Sequence, residues 1–121
     1  MVMAFDHEKL DVYRLAIEFV AKANEVVESL PRGRGYLGDQ LQRAALSIVL
    51  NIAEGAGKFS PADKAAFYVR ARGSVTESAA VFDVCVKLKL VTEPVVDENK
   101  QILERLSQML TELIKAQRDE E

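Results

Sequence analysis

The chain has 121 residues, of which 49% are hydrophobic, 29% charged and 7% aromatic, a balance that suits one packed domain (1–121) and rules out a disordered tail. Six Gly and three Pro are too few for an all-β fold with many tight turns, and a single Cys excludes an internal disulfide framework. A formal net charge of −3 speaks against a uniformly basic nucleic-acid binder and against an anionic-membrane binder.

The opening stretch, Met1 to Glu8, lacks the cationic region and long apolar run of a signal peptide. No apolar run approaches the ~18 residues of a membrane span, so a soluble cytoplasmic protein with no membrane partner is expected. Punctuation then divides the chain into four helical segments. The first covers about 6–30 and stops at Pro31-Arg32-Gly33-Arg34-Gly35, where Pro cannot continue a helix and Gly relieves the backbone. Within it Asp11, Arg14, Glu18, Lys22, Glu25 and Ser29 share one face, with signs alternating at helical spacing as on a solvated surface. The remainder is almost wholly apolar. A surface helix needs an apolar stripe only somewhat over ~100° wide, so this one is expected to bury two sides.

The second segment, about 36–54, is closed by Gly55-Ala56-Gly57. Gln40, Arg43, Ser47, Asn51 and Glu54 form its polar stripe, mostly uncharged hydrogen-bonding groups. Such a stripe is expected to lie inside the bundle, where each member must find a partner. The third segment, about 61–88, opens with Ser60-Pro61-Ala62-Asp63: a capping Ser, Pro at the first helical position and an acid in the first turn. Gly73-Ser74 interrupts it midway, and a mid-helix Gly costs ~1 kcal/mol relative to Ala, so a close backbone neighbour is expected there. A hairpin of the second and third segments around Lys58 sets Arg43 opposite Gly73, with Glu77 one turn away as a possible ion-pair partner. Thr92-Glu93-Pro94 opens the last segment, about 93–117, whose Ile102, Leu103, Leu106, Met109, Leu110, Leu113 and Ile114 make one apolar face. No segment shows strand alternation, and the fold class is all-α. Two spare apolar surfaces on the first two helices exceed what one small bundle can cover, which predicts a homo-oligomer.

Catalytic patterns do not assemble. Gly33-Arg34-Gly35-Tyr36-Leu37-Gly38 matches a dinucleotide fingerprint by letter, but a helix and Pro31 precede it instead of a strand. Gly55-Ala56-Gly57-Lys58 fails as a phosphate loop, because Ile52 stands at the first Gly position and Phe59 replaces Ser or Thr. His7 is the only histidine, Cys85 sits among Val81, Phe82 and Leu88 as an apolar filler, and no Glu-x-x-His pair is present. No catalytic residue, metal site or cofactor is therefore assigned, and the chain reads as a non-enzyme. The competing reading is a small enzyme using Arg43, Glu54 and Glu77 on a small or phosphorylated substrate.

The run from Gln40 to Gly55, with Phe5 and Leu10-Asp11-Val12-Tyr13 before it and Phe67, Ala71, Gly73-Ser74 and Glu77 after it, resembles the signature of a four-helix-bundle family. Its members include proteins encoded within intervening sequences of bacterial 23S ribosomal RNA genes, and a related branch is the accessory variability protein of diversity-generating retroelements, which partners a reverse transcriptase and contacts nucleic acid. The resemblance implies an antiparallel up-down four-helix bundle that assembles as a ring, with a pentamer expected, and most members have no established activity. On this chain the signature falls on Gln40, Arg43, Ser47, Asn51, Glu54, Gly55, Gly73, Ser74 and Glu77, read here as a structural polar network. Family members often carry an acid in the turn before the second helix, whereas this chain has Arg32-Gly33-Arg34-Gly35.

The leading functional reading is an oligomeric scaffold or adaptor whose candidate partners are itself, RNA or DNA, or a nucleic-acid-processing protein. Arg32, Arg34, Lys58, Lys64, Arg70, Arg72, Lys87 and Lys89 are the candidate contacts, although those on the third helix spread around more than half of its circumference. Charge is segregated along the chain. Residues 1–31 carry three bases and six acids, 32–89 nine bases and five acids, and 90–121 four bases and eight acids. A basic central hairpin thus stands between two acidic outer segments.

Overall fold

A computed structural model describes residues 5–120. Met1 to Ala4, the first half of the stretch without a targeting pattern, and Glu121 lie outside them. Four helices carry the described chain: α1 (Asp11–Ser29), α2 (Gly35–Ala56), α3 (Pro61–Lys87) and α4 (Glu93–Asp119), with a single 3-10 turn at Asp6–Lys9 before them. No strand occurs among the described residues, so the fold is all-α. None of the helices is long and apolar enough to cross a membrane.

The first segment does not start as one helix at residue 6. Leu10 adopts an extended backbone (φ −86°, ψ 129°) that separates the 3-10 turn from α1. α2 continues through Gly55 and Ala56, one turn-fraction beyond the expected end, and Gly57 caps it. The start of α3 follows its sequence signal: Ser60 is the cap, its Oγ accepts the backbone N–H of Asp63 at 3.1 Å, and Pro61 takes the first turn. α3 ends at Lys87, and two residues on Lys89, with a φ of +59°, takes the left-handed position that follows a helix C-terminus, with Leu90 N–H returning to the Cys85 carbonyl at 2.9 Å.

Each helix packs along two others: α2 on α1 and α3, and α4 on α3 and α1. The diagonal from α1 to α3 is bridged by side chains, with the Phe19 and Phe82 rings edge to face and their centroids 6.5 Å apart. Around them Leu41, Ile48, Ile52, Leu106 and Leu110 are fully buried. Cys85 is buried on α3 as an apolar filler, and burial pushes its thiol pKa up. Asn99 is the polar exception on α4: its Nδ2 donates to the Val95 carbonyl at 2.9 Å, and its buried Oδ1 has no partner among the described residues.

The close approach between helices is at Gly55, not at Gly73. A Cβ on Gly55 would stand 2.7 Å from Tyr68 Cε1 and 3.1 Å from Phe67 Cβ, so the missing side chain is what lets α3 lie against α2 there. A Cβ on Gly73 would meet nothing within 4 Å. Gly73 faces outward, and the expectation of a close backbone neighbour within the chain fails at that position.

Candidate functional site

The polar stripe of α2 does not lie inside the bundle. Gln40, Arg43 and Glu54 are exposed, and only Ser47 and Asn51 are half-buried, along the seam where α2 meets α3. There the network is complete. Asn51 Nδ2 donates to the Ser47 carbonyl at 2.9 Å and to Ser47 Oγ at 3.0 Å, while Ser74 Oγ donates to the same Ser47 Oγ at 2.8 Å. One turn on, the fully buried Ser78 hydroxyl returns to the Ser74 carbonyl at 2.9 Å. Small hydroxyl side chains at Ser47, Ser74 and Ser78 allow α2 and α3 to approach while satisfying each polar atom they bury.

The Ser47–Ser74 bond also corrects the pairing of these helices. Ser47 faces Ser74 and Gly55 faces Tyr68, so Gly73 is level with Ile48 and not with Arg43. The turn is centred near Ser60, so Arg43 is level with Glu77 and Ser78. Arg43 and Glu77 are both exposed on their helices, and among the described residues neither has an ion-pair partner. Glu54 is occupied otherwise, 3.6 Å from Lys58 Nζ, in an exposed pair of small energetic consequence. Arg43, Glu54 and Glu77 therefore converge on no common point, and the placement gives an enzyme built on them no support. Among the described residues no three His, Cys, Asp or Glu side chains come close enough to hold a metal ion.

The eight candidate basic contacts divide into separate groups. Arg32 and Arg34 sit on the α1–α2 turn, and Lys87 and Lys89 on the end of α3 and the turn after it. Lys64 serves α2 itself: its Nζ donates to the carbonyl of Ala56, the last residue of the helix, at 2.9 Å. Arg72 reaches α4, where it donates to Thr111 Oγ1 at 3.1 Å. Only Lys58 and Arg70 are brought together. Both lie over the Phe67 ring, 5.1 and 4.7 Å from its centroid, on either end of one cation–π cluster. Phe59, fully exposed at the tip of the same turn, adds an aromatic ring to this end of the molecule.

A groove of about 450 Å³ lies between the 3-10 turn and α2, lined by Phe5, His7, Leu50, Ala53, Glu54 and Lys58. His7 is held there by rings, with centroids 5.7 Å from Phe5 and 4.7 Å from Tyr13. The groove thus has apolar walls and one exposed ion pair, without a nucleophile or a paired base. Sequence reasoning missed the outward face of α3. Ala62, Ala66, Val69, Gly73, Ala80 and Val84 are all exposed, and their spacing in steps of four, three and seven could have revealed it.

A family model described as 23S rRNA-intervening sequence protein matches residues 8–112 of this chain. The fold is similar to the crystal structure of a protein with unknown function from the S23 ribosomal protein family of Bacteroides thetaiotaomicron. The two share a TM-score of 0.80 and 19% sequence identity, over 86% of this chain and 95% of that one. Among curated proteins none matches this sequence.

Proposed function

The chain belongs to the 23S rRNA-intervening sequence protein family, and from that premise we propose that it is a non-enzymatic scaffold or adaptor, an up-down bundle that assembles with copies of itself into a ring. The observation that carries this reading is the apolar surface left over after the bundle closes. Tyr36, Leu46 and Leu50 on α2 and Ile17 on α1 remain 45–54% exposed. Leu46 and Leu50 stand one turn apart on α2, and adjoining exposed apolar side chains, unlike scattered ones, are the usual mark of an interface. Antiparallel order of α2 and α3 is supported by the Ser47–Ser74 and Gly55–Tyr68 contacts, and that of α3 and α4 by Arg72–Thr111 together with the Lys100–Asp83 pair. A pentamer is the number the family resemblance implies.

Nucleic acid, or a protein that processes it, is the proposed partner of the assembled ring. The Lys58, Phe67 and Arg70 cluster with Phe59 supports it, since cations beside exposed rings suit phosphates and unstacked bases. Two measurements test the reading. Light scattering at micromolar concentration is expected to give one species of several copies, and a clean monomer overturns the scaffold. Titration with single-stranded RNA and DNA is expected to show binding that weakens with salt, and no binding at ~50 mM salt, where phosphate contacts are strongest, removes the nucleic-acid partner.

A further inference from the structure

Three features of the bundle surface are left uncovered by the described residues. On α3 the outward stripe of Ala62, Ala66, Val69, Gly73, Ala80 and Val84 follows the spacing of a helix-packing seam, and its middle is a glycine with nothing within 4 Å. On α2 the large side chains Leu46 and Leu50 stand one turn apart, 50% and 53% exposed. Arg43 and Glu77, opposite charges without ion-pair partners among the described residues, lie one turn from those two surfaces. The large side chains on α2 and the small ones on α3 are all exposed, so neither set covers the other within one molecule.

We infer that a second copy of this chain covers the outward stripe of α3, with Leu46 and Leu50 of its α2 on either side of Gly73 and its Arg43 paired to Glu77. The inference rests on the ring reading and supplies its contact. The level of each residue follows from the Ser47–Ser74 hydrogen bond at 2.8 Å. Counting from it along the two helices, Leu46 is level with Val75, Leu50 with Ala71 and Arg43 with Ser78. Gly73 is midway between the two leucines, and Glu77 is one residue from the level of Arg43. Rotation about an axis parallel to the helices preserves these levels, so the match within one chain becomes the match between neighbours. Charge agrees with shape, since the arginine and the glutamate meet at one height.

The same geometry limits the assembly. The two surfaces are on adjacent corners of a four-helix bundle, roughly a quarter turn apart, and a head-to-tail contact of that kind closes after about four or five copies. The face between the two corners is then turned to the ring axis. It carries the Ser47, Asn51 and Ser74 network.

The test mixes two chains, one carrying Arg43→Cys and one Glu77→Cys, both with Cys85→Ala so that no other thiol is present. After unfolding and reassembly together, mild oxidation is expected to yield covalent dimers in the mixture and none with either chain alone. In parallel, Arg43→Glu is expected to raise the concentration at which the assembly dissociates by about tenfold, and adding Glu77→Arg to restore it, since like charges in contact are costly at an interface. An assembled species by light scattering that neither cross-links in the mixture nor responds to Arg43→Glu overturns this contact and leaves the ring reading standing. A monomer at every concentration overturns both.

Discussion

Gly55 and Gly73 look alike in sequence, each a glycine in a helix, and the structure gives them opposite roles. At Gly55 the Tyr68 ring occupies the place of a Cβ, 2.7 Å away, and at Gly73 nothing does. Gly55→Ala must therefore displace Tyr68, a buried aromatic side chain, and is expected to lower stability by about 1–3 kcal/mol, as overpacking does. Gly73→Ala is expected to raise the stability of the isolated bundle by about 0.5–1 kcal/mol, the ordinary gain of Ala over Gly in an exposed helix interior. Urea denaturation of dilute protein measures both, and equal shifts for the two variants would show that neither site behaves as its contacts require. The reason sequence reasoning assigned the close approach to Gly73 is instructive. A mid-helix glycine is conspicuous, whereas Gly55 is disguised by Gly57 two residues later as ordinary helix-ending punctuation.

The elements themselves were legible because their ends carry local signals. Ser60-Pro61-Ala62-Asp63 encodes a cap whose hydrogen bond is present, and Pro31 and Gly33 end α1 with Gly33 at φ +92°. What local signals could not encode was the register between elements. A shift of the α2–α3 pairing by about one turn follows from hydrogen bonds between Ser47 and Ser74, and serine at those positions has no distinguishing pattern until the partner helix is known. The same limit applies to Lys64, which reads as a free surface cation and is in fact the cap of α2. One element end departs from its sequence preference. Lys89 occupies a left-handed conformation, φ +59°, where a side chain costs about 1–2 kcal/mol and glycine is free to sit. Lys89→Gly is expected to raise stability by about 0.5–1 kcal/mol after the greater flexibility of the unfolded glycine is subtracted. A lower melting temperature for this variant would mean that the lysine side chain, and not the backbone, holds the end of α3.

At the scale of the whole molecule, four helices close around one core, and no side chain in its centre can be reached without opening them. Cys85 provides the probe. It is 1% exposed on α3, and burial holds its thiol above the ordinary cysteine pKa, so the native state offers little thiolate to an attacking reagent. Because the thiol pKa is raised on folding, the native state favours the protonated form, and that contribution to stability falls away as pH climbs through the raised value. Reaction of Cys85 with an aromatic disulfide near pH 8 is accordingly expected to run at least about a thousandfold slower in native protein than in urea, since opening of a domain of ordinary stability is that rare. Variants should order themselves by the same opening equilibrium, with Gly55→Ala reacting faster than the parent and Lys89→Gly slower. Assembly adds a further dependence. If copies cover α3 from outside, dilution below the assembly range should speed the reaction, because a partner that binds only the folded chain holds it closed. A rate that is fast in native protein, or indifferent to Gly55→Ala, would place the opening at the end of α3 alone, and the bundle would then not unfold as one unit.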